Sequence, residues 1–221
     1  MTPRESWLEL RRSGIGASDI GAILGVSEYR TPLHVYMEKT MGWRSPETSY
    51  KKIGLLMEPV IATLFEQETN LQTRALPEGS LFRSKSDPLK MCTPDRMIVG
   101  EPAGLEMKNV DRSKANNWGP SRSDRIPIDT FCQIHWQMDV TEMPYWYVGA
   151  FIGGNDFRHY LFERDLELCG WMTEAAHKFK RDHLDTLTPP EAPPEATRDY
   201  LKARYPKNIE ALLPVTPEAL T

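Results

Sequence analysis

Residues 93–110 read TPDRMIVGEPAGLEMKNV and carry the most informative pattern in the chain. The segments 90–99 and 103–110 are rich in residues typical of strands, and a Gly-Glu-Pro turn separates them. The pattern predicts two strands joined as a hairpin. Asp95 is expected in the first strand and Glu106 in the second, so that their carboxylates lie side by side.

Glu106 and Lys108 are two residues apart, so in a strand their side chains point to the same face. That face would carry two carboxylates, counting Asp95, and one ammonium. Carboxylate oxygens hold Mg²⁺, the metal lowers the pKa of a bound water, and a lysine can position or deprotonate that water. The pattern fits metal-assisted phosphodiester hydrolysis. An ordinary ion pair on a strand face is the alternative, and these residues by themselves leave both interpretations open.

Helix and strand patterns around the hairpin predict the remaining elements. Helical patterns cover residues 3–12, 19–24, 32–41, 50–69, 127–140 and 165–185, with Ser18 as an N-cap and Pro127 at a first helical position. Strand patterns cover residues 71–76, 81–84, 145–152 and 157–162. The long helix over 50–69 is expected to be amphipathic, with apolar side chains at helical spacing from Ile53 to Phe65. The order predicts an α+β or mixed α/β fold with a central twisted mixed β-sheet flanked by helices.

The composition is that of a globular protein: 221 residues, 40% hydrophobic and 26% charged. The net charge of −4 argues against a protein that coats nucleic acid non-specifically. Cys92, Cys132 and Cys169 form no CxxC pair, which favours a reducing cytoplasm. We expect no signal peptide, no membrane helix and, without a P-loop, no nucleotide cofactor.

Two segments divide the chain by composition. Residues 1–187 are predicted to form one domain, and residues 188–221 a Pro-rich tail, because seven of the 18 prolines lie between positions 189 and 217.

Several short motifs occur in an order that resembles one known family. Pro94-Asp95 followed by Glu106-Met107-Lys108 is similar to the PD-(D/E)xK nuclease signature. Three further pieces, at residues 7–20, at 54–58 and at Gln133, resemble motifs of the lambda-exonuclease-like (YqaJ-type) viral recombinases. The resemblance runs from about residue 7 to residue 162. It implies a PD-(D/E)xK, restriction-endonuclease-like core.

The resemblance implies a metal site on the hairpin. Asp95 and Glu106 would ligate the metal, and the backbone carbonyl of Met107 would complete the shell. Lys108 would orient or activate the attacking water. The implied cofactor is Mg²⁺, with Mn²⁺ as a substitute and two ions per site.

Two further residues receive roles near that site by the same resemblance. Gln133 would hold the attacking water or the scissile phosphate. Glu58 would lie at the edge of the site, as an outer ligand or a partner of Lys108. From the residues alone, Glu58 could equally be a charge on a helix face, and Gln133 could belong to a buried polar patch.

The resemblance also implies a pocket for the 5′-terminal phosphate of DNA, formed by Arg11 and Ser18. A serine at a helix start and a guanidinium fork suit an anion. Ser18 as a plain N-cap and Arg11 as a solvated charge remain the alternatives. Gly16 departs from the family pattern, which has a hydroxyl residue there, so one phosphate contact is missing or made by backbone.

The loop over residues 111–125 follows the predicted site and combines basic side chains with an aromatic ring. This pattern predicts contact with the DNA backbone or with the duplex end, against the alternative of a solvated surface loop. The residues expected to make the contact are Arg112, Lys114, Trp118 and Arg122.

The function implied by the resemblance is a Mg²⁺-dependent, ATP-independent 5′-to-3′ exonuclease on linear double-stranded DNA. It would leave a 3′ single-stranded tail for recombination by strand annealing. The implied partners are double-stranded DNA ends, two further copies in a homotrimeric ring, and a single-strand annealing protein. The implied location is the cytoplasm of a bacterial cell carrying a prophage. A PD-(D/E)xK endonuclease of other specificity and a catalytically decayed DNA-end-binding module remain alternatives.

Overall fold

A computed structural model describes residues 3–205 of the chain. The α-helices are α1 (Pro3–Arg12), α2 (Ala17–Ile23), α3 (Pro32–Met41), α4 (Ser49–Thr69), α5 (Ile128–Thr141), α6 (Leu166–Phe179) and α7 (Pro194–Arg204). The strands are β1 (Ile15–Gly16), β2 (Thr73–Ala75), β3 (Phe82–Arg83), β4 (Lys90–Cys92), β5 (Arg96–Ile98), β6 (Ala103–Val110), β7 (Tyr145–Ile152) and β8 (Asp156–Glu163). A 3₁₀ helix spans Arg112–Asn117, and a π-helical segment, Lys180–Leu184, extends α6.

The main sheet has five strands in the order β2-β5-β6-β7-β8. All neighbours are antiparallel except β6 and β7, which are parallel and are joined by a crossover through α5. A second sheet has the order β1-β4-β3. The predicted fold class, α+β with a mixed sheet flanked by helices, is confirmed, and the small second sheet adds to the single sheet that was expected.

The predicted strand over residues 90–99 is in fact two strands in two different sheets. β4 pairs with β1 and β3, whereas β5 pairs with β2 and β6. The break falls at Pro94, which has no N–H to donate to a ladder. The prediction that Asp95 lies within a strand is therefore wrong, because Asp95 forms the bend directly before β5. The hairpin itself is confirmed, with Arg96 opposite Leu105.

Two predicted positions at helix starts are wrong. Gly16, and not Ser18, is the N-cap of α2, and its N–H is 2.9 Å from the Asp19 carboxylate. Ser18 therefore lies in the first turn with an exposed side chain. Pro127 is the N-cap of α5 and not its first helical residue. Because Gly16 is the N-cap, the Ser18 hydroxyl does not cap α2 and is available for other contacts.

Only the second half of α4 is amphipathic in the expected way. Ile61 and Phe65 are buried against apolar side chains of the main sheet. Ile53, Leu56 and Val60 are exposed, so the prediction that they share the buried face is wrong. The reason is that the first turns of α4 extend past the sheet, and contact with its apolar cluster begins only near Met57.

Helix α5 is the central element of the core. Trp136 is fully buried and its indole N–H donates to the carbonyl of Met91 on β4, at 3.1 Å. Behind the hairpin, Gly104 lies against the ring of Trp146 on β7, where a Cβ atom would come within 2.2 Å of the ring. The first contact holds β4 against α5, and the second packs β6 against β7.

The start of the predicted Pro-rich tail packs against α3. The Tyr36 hydroxyl donates to the carbonyl of Leu187 at 2.9 Å, and His34 lies 3.6 Å from Asp199 on α7. The remaining tail residues, 206–221, lie outside the described residues. Among residues 3–205, no helix has the length and apolar character needed to cross a membrane.

Candidate active site

The β5–β6 hairpin places two carboxylates side by side. Asp95 precedes Arg96, which pairs with Leu105, so Asp95 lies opposite Glu106 at the next position. One oxygen of Asp95, Oδ2, accepts a hydrogen bond of 2.7 Å from the N–H of Met107. This contact holds the bend against β6 and leaves Oδ1 turned away from the backbone contact.

Glu106 lies at the centre of a network of hydrogen bonds. Its side chain is 3% exposed, and its Oε1 accepts from Lys108 Nζ at 2.6 Å and from Gln133 Nε2 at 2.8 Å. Lys108 Nζ also donates to Gln133 Oε1, at 2.9 Å. The same-face prediction for Glu106 and Lys108 is confirmed, and α5 supplies Gln133 to the same cluster.

The carboxylates repel one another. Burial, and next the charge of Glu106, raise the pKa of Asp95 well above its ordinary value. The pKa of Glu58 on α4 is raised by the same two causes, so its carboxyl is within electrostatic range of Glu106. Burial lowers the pKa of Lys108, but the charges of Glu106 and Asp95 outweigh it and the net pKa is raised. Lys108 is therefore an ammonium at neutral pH.

The donor set suits a hard divalent cation. Asp95 and Glu106 are adjacent carboxylates whose mutual repulsion a cation would relieve. Among residues 3–205, no group of three His, Cys, Asp or Glu side chains is close enough to hold a metal without other ligands. Mg²⁺ needs no such cage, because it is commonly bound by one or two carboxylates, with waters and substrate phosphates completing the shell.

A cavity of about 190 Å³ extends from this cluster toward the N-terminal helices. Gln133 and Thr93 lie on its wall together with Arg11 and Ser18. Arg11 Nη2 donates to Ser18 Oγ at 3.2 Å, and the guanidinium stacks over the ring of Trp7 at 4.9 Å. Gln133, which is hydrogen-bonded to Glu106 and Lys108, therefore lies on the same cavity wall as the predicted phosphate-binding residues Arg11 and Ser18.

A buried ion network holds the N-terminal side of the cavity in place. Asp19 is fully buried, with Lys39 Nζ 2.8 Å from its Oδ2 and Arg30 Nη1 2.9 Å from its Oδ1. Lys39 also donates to the carbonyl of Arg11 at 2.8 Å, and Arg30 to the carbonyl of Ser18 at 3.3 Å. The network thus fixes the backbone that carries both predicted phosphate-binding side chains.

The loop after β6 divides into a buried and an exposed part. Trp118 is 5% exposed and packs against Tyr160, so the prediction that its ring contacts DNA is wrong: the apolar ring is part of the core. Arg112 and Arg122 are exposed. Lys114 is half-buried and lies 2.6 Å from Glu28.

Sequence reasoning missed three residues of this site. Thr93 directly precedes Pro94-Asp95, and its hydroxyl could have been noticed from that position. Gln137 lies one helical turn after Gln133, but the i,i+4 spacing does not distinguish a site residue from a buried polar patch. Asp19 follows Ser18, yet its partners are distant in sequence, and the sequence pattern does not indicate the pairing.

Comparison with known proteins identifies the family. Residues 6–144 match the family model of the YqaJ-like viral recombinase domain. The chain belongs to this family. The expected resemblance to lambda-exonuclease-like (YqaJ-type) viral recombinases is therefore confirmed.

The chain is similar in sequence to the uncharacterized protein YqaJ of Bacillus subtilis (strain 168). It is 32% identical over 209 residues, which cover 91% of this chain and 63% of that protein. This YqaJ-like chain thus spans less than two thirds of the length of that relative.

Solved structures share the fold of this YqaJ-like domain. The alkaline exonuclease LHK-Exo from Laribacter hongkongensis superposes with a TM-score of 0.63 at 15% identity, over 92% of this chain and 98% of that one. LHK-Exo in complex with dAMP gives a TM-score of 0.64 at 16% identity, with the same coverage. A phage-related exonuclease from Haemophilus somnus 129PT gives 0.57 at 12% identity, over 79% of this chain and 96% of that one.

Proposed function

We propose that this YqaJ-like protein is a Mg²⁺-dependent, ATP-independent exonuclease that degrades the 5′ strand of linear double-stranded DNA and leaves a 3′ single-stranded tail. One observation carries the proposal. Gln133 is hydrogen-bonded to Glu106 and Lys108, with Asp95 beside them, and it also lines the cavity that contains Arg11. Membership of a viral recombinase family and the fold shared with exonucleases support it.

The metal would be held by Asp95 and Glu106, with the backbone carbonyl of Met107 as a further ligand. When bound, Mg²⁺ polarises the scissile phosphate and lowers the pKa of a water. Mn²⁺ would substitute for Mg²⁺, because both accept oxygen ligands, and we propose two ions per site. Glu58 would act from the edge of the site, as an outer ligand.

Lys108 and Gln133 would act on the reacting groups directly. The raised pKa of Lys108 favours its ammonium form, which donates hydrogen bonds. Its position, 2.6 Å from Glu106, lets it orient the attacking water and offset the negative charge that develops on the phosphate. The Gln133 amide already contacts both partners and would hold the water or the phosphate between them.

The N-terminal part of the cavity would receive the 5′-terminal phosphate. Arg11 supplies the charge, and the hydroxyls of Ser18 and Thr93 supply neutral contacts. Gly16 adds none, because its N–H already donates to Asp19. LHK-Exo, which shares the fold, forms a complex with dAMP, a deoxynucleoside monophosphate, and this supports nucleotide binding by a protein of this fold.

The loop after β6 would contact the DNA backbone through Arg112, Lys114 and Arg122. We further propose a homotrimeric ring, a single-strand annealing protein as partner, and the cytoplasm of a prophage-carrying bacterial cell as location. A ring would reconcile the net charge of −4 with DNA binding, because the channel can be basic while the outer faces are acidic.

The deciding experiment compares linear and covalently closed circular duplexes, with and without Mg²⁺. We expect loss of label from a 5′-end-labelled linear strand, no cleavage of the circle, and no reaction in EDTA. Cleavage of the circle would indicate an endonuclease instead. Binding of DNA ends without hydrolysis at any Mg²⁺ or Mn²⁺ concentration would indicate a decayed, end-binding module.

A further inference from the structure

Gln137 lies deep in the active-site region and has no role in the mechanism proposed above. It is on α5, one turn after Gln133, and it is 1% exposed on the wall of the same cavity. Its Nε2 donates to Glu106 Oε2 at 2.9 Å. Because a carboxylate only accepts hydrogen bonds, the amide nitrogen must face Glu106, and the amide oxygen must point the other way.

The two oxygens of Glu106 are held unequally. Oε1 accepts from both Lys108 and Gln133, whereas Oε2 has Gln137 as its only hydrogen-bond donor among residues 3–205. A buried carboxylate oxygen without a donor is unfavourable. The Gln137 amide is therefore the contact that holds the Oε2 side of the Glu106 carboxylate and, with the two donors to Oε1, sets the rotation of the group.

The other end of the Gln137 side chain is not satisfied by the protein. Its Oε1 is buried and has no hydrogen-bond partner within the described part of the chain. A glutamine retained for packing would be expected to have both ends satisfied, since buried polar groups nearly always are. The Gln137 amide nitrogen donates to Glu106, although its amide oxygen is left without a donor. We therefore take the contact with Glu106 to be the role of this side chain.

We propose that Gln137 is a positioning residue that orients the Glu106 carboxylate for metal binding, an inference that rests on the proposed metal-dependent nuclease function. Gln133 contacts the reacting groups and the opposite oxygen of Glu106, while Gln137 acts through Glu106 alone. Removing Gln137 would leave Oε2 without a donor, so that only the two contacts to Oε1 orient the carboxylate. Residues of this kind typically change metal affinity or activity by roughly 10- to 100-fold.

The test is a calorimetric titration of the full chain with Mn²⁺ in the absence of DNA. Gln137→Met keeps the approximate shape and removes the donor, and we expect its Mn²⁺ affinity to fall roughly 10- to 100-fold. The Mg²⁺ concentration for half-maximal cleavage should rise by a similar factor, whereas the KM for DNA should not change. The melting temperature should fall modestly, because Glu106 Oε2 loses its donor, so the titrations are done at a temperature where parent and variant are both folded.

His135→Leu is the matched control. His135 is on the same helix, is 1% exposed and also has a buried ring nitrogen, Nε2, without a partner, but it packs against Phe131 and not against Glu106. This variant should keep the parent's Mn²⁺ affinity. If Gln137→Met does not fold, Gln137→Leu repeats the test with another apolar shape.

The outcomes separate the two proposals. A parent protein that binds Mn²⁺ and cleaves DNA, with an unchanged Mn²⁺ isotherm for Gln137→Met, would overturn this inference alone. Equal losses of affinity in Gln137→Met and His135→Leu would also overturn it, because they would reflect general damage to α5. A parent that neither binds Mn²⁺ nor cleaves DNA would overturn the proposed function, and this inference with it.

Discussion

At the residue scale, the proposed hydrolysis depends on the Glu106 carboxylate, which accepts hydrogen bonds from two side chains of the site. Glu106 Oε1 accepts from Lys108 and Gln133 at the same time, so the ammonium and the amide are held within hydrogen-bonding distance of each other. In the proposed mechanism, these contacts would hold the lysine beside the carboxylates for an incoming phosphate, and little rearrangement would be required when charge develops.

Lys108→Ala should lower the rate of hydrolysis by at least roughly 100-fold while DNA binding persists, because the ammonium serves the transition state. Single-turnover cleavage and a filter-binding isotherm measure the two effects separately. Lys85→Ala is the control, since the Lys85 side chain is 89% exposed. Hydrolysis by Lys108→Ala at the parent's rate would show that the assignment of Lys108 is wrong.

Arg11→Ala should remove the preference for a 5′-phosphorylated over a 5′-hydroxyl duplex. A hydrogen bond to a charged group contributes about 1.5–3 kcal/mol, so the parent's preference should be roughly 10- to 100-fold. Arg12→Ala is the matched control, because Arg12 bonds to Glu9 and to the carbonyl of Lys39 instead of Ser18. Equal rates of the parent on both ends would refute the phosphate pocket.

Short-range periodicity explains which of these residues could be predicted. Glu106 and Lys108 share a face because strand side chains alternate, which is a local rule. Gln133 became a candidate through the family resemblance. The burial of Trp118 could not be predicted, because it depends on Tyr160 in a strand more than forty residues later.

At the element scale, the break between β4 and β5 places Asp95 beside Glu106. The chain leaves the small sheet at Cys92 and enters the large one at Arg96, and the bend between them carries Thr93 and Asp95. Composition predicted strand throughout this segment. The change of sheet could not be predicted because each half pairs with partners outside it, although Pro94 indicated where a ladder would stop.

A second element-scale feature is the junction of α1, α2 and α3 at Asp19. Burial would raise the pKa of Asp19, but Lys39 and Arg30 outweigh it and hold the pKa well below its ordinary value of 3.8. Because the folded-state pKa lies below the unfolded value, the ionised carboxylate contributes its full stability above about pH 4. That contribution declines as the pH falls toward the folded-state pKa.

Asp19→Asn should therefore lower the free energy of unfolding at pH 7 by about 3–5 kcal/mol, because it leaves the buried Lys39 ammonium without its carboxylate. The difference between parent and variant should shrink as the pH falls below about 4. Urea unfolding at pH 7, 5 and 3 measures it. A difference that stays constant across these values would show that the ion network contributes no pH-dependent stability.

At the scale of the whole molecule, described residues from both ends of the chain pack onto the same α-helical element. α1 contacts α3, and α7 packs on α3 through His34 and Tyr36. The sequence pattern indicated a helical tendency near residues 198–204. The packing of α7 onto α3, however, depends on His34 and Tyr36, which are far away in the sequence. Tertiary contacts of this kind leave no local pattern.

The last prediction concerns assembly. A protomer of 25.3 kDa is too small to encircle a duplex, and an acidic monomer would hold DNA weakly. Processive digestion requires the product strand to remain threaded, and a closed ring achieves this through heterologous contacts between copies. We therefore expect light scattering to give three times the protomer mass at micromolar concentration, with and without DNA. A monomer that digests long duplexes in single processive runs would refute the ring and leave the nuclease proposal intact, because the carboxylate–lysine cluster lies within one chain.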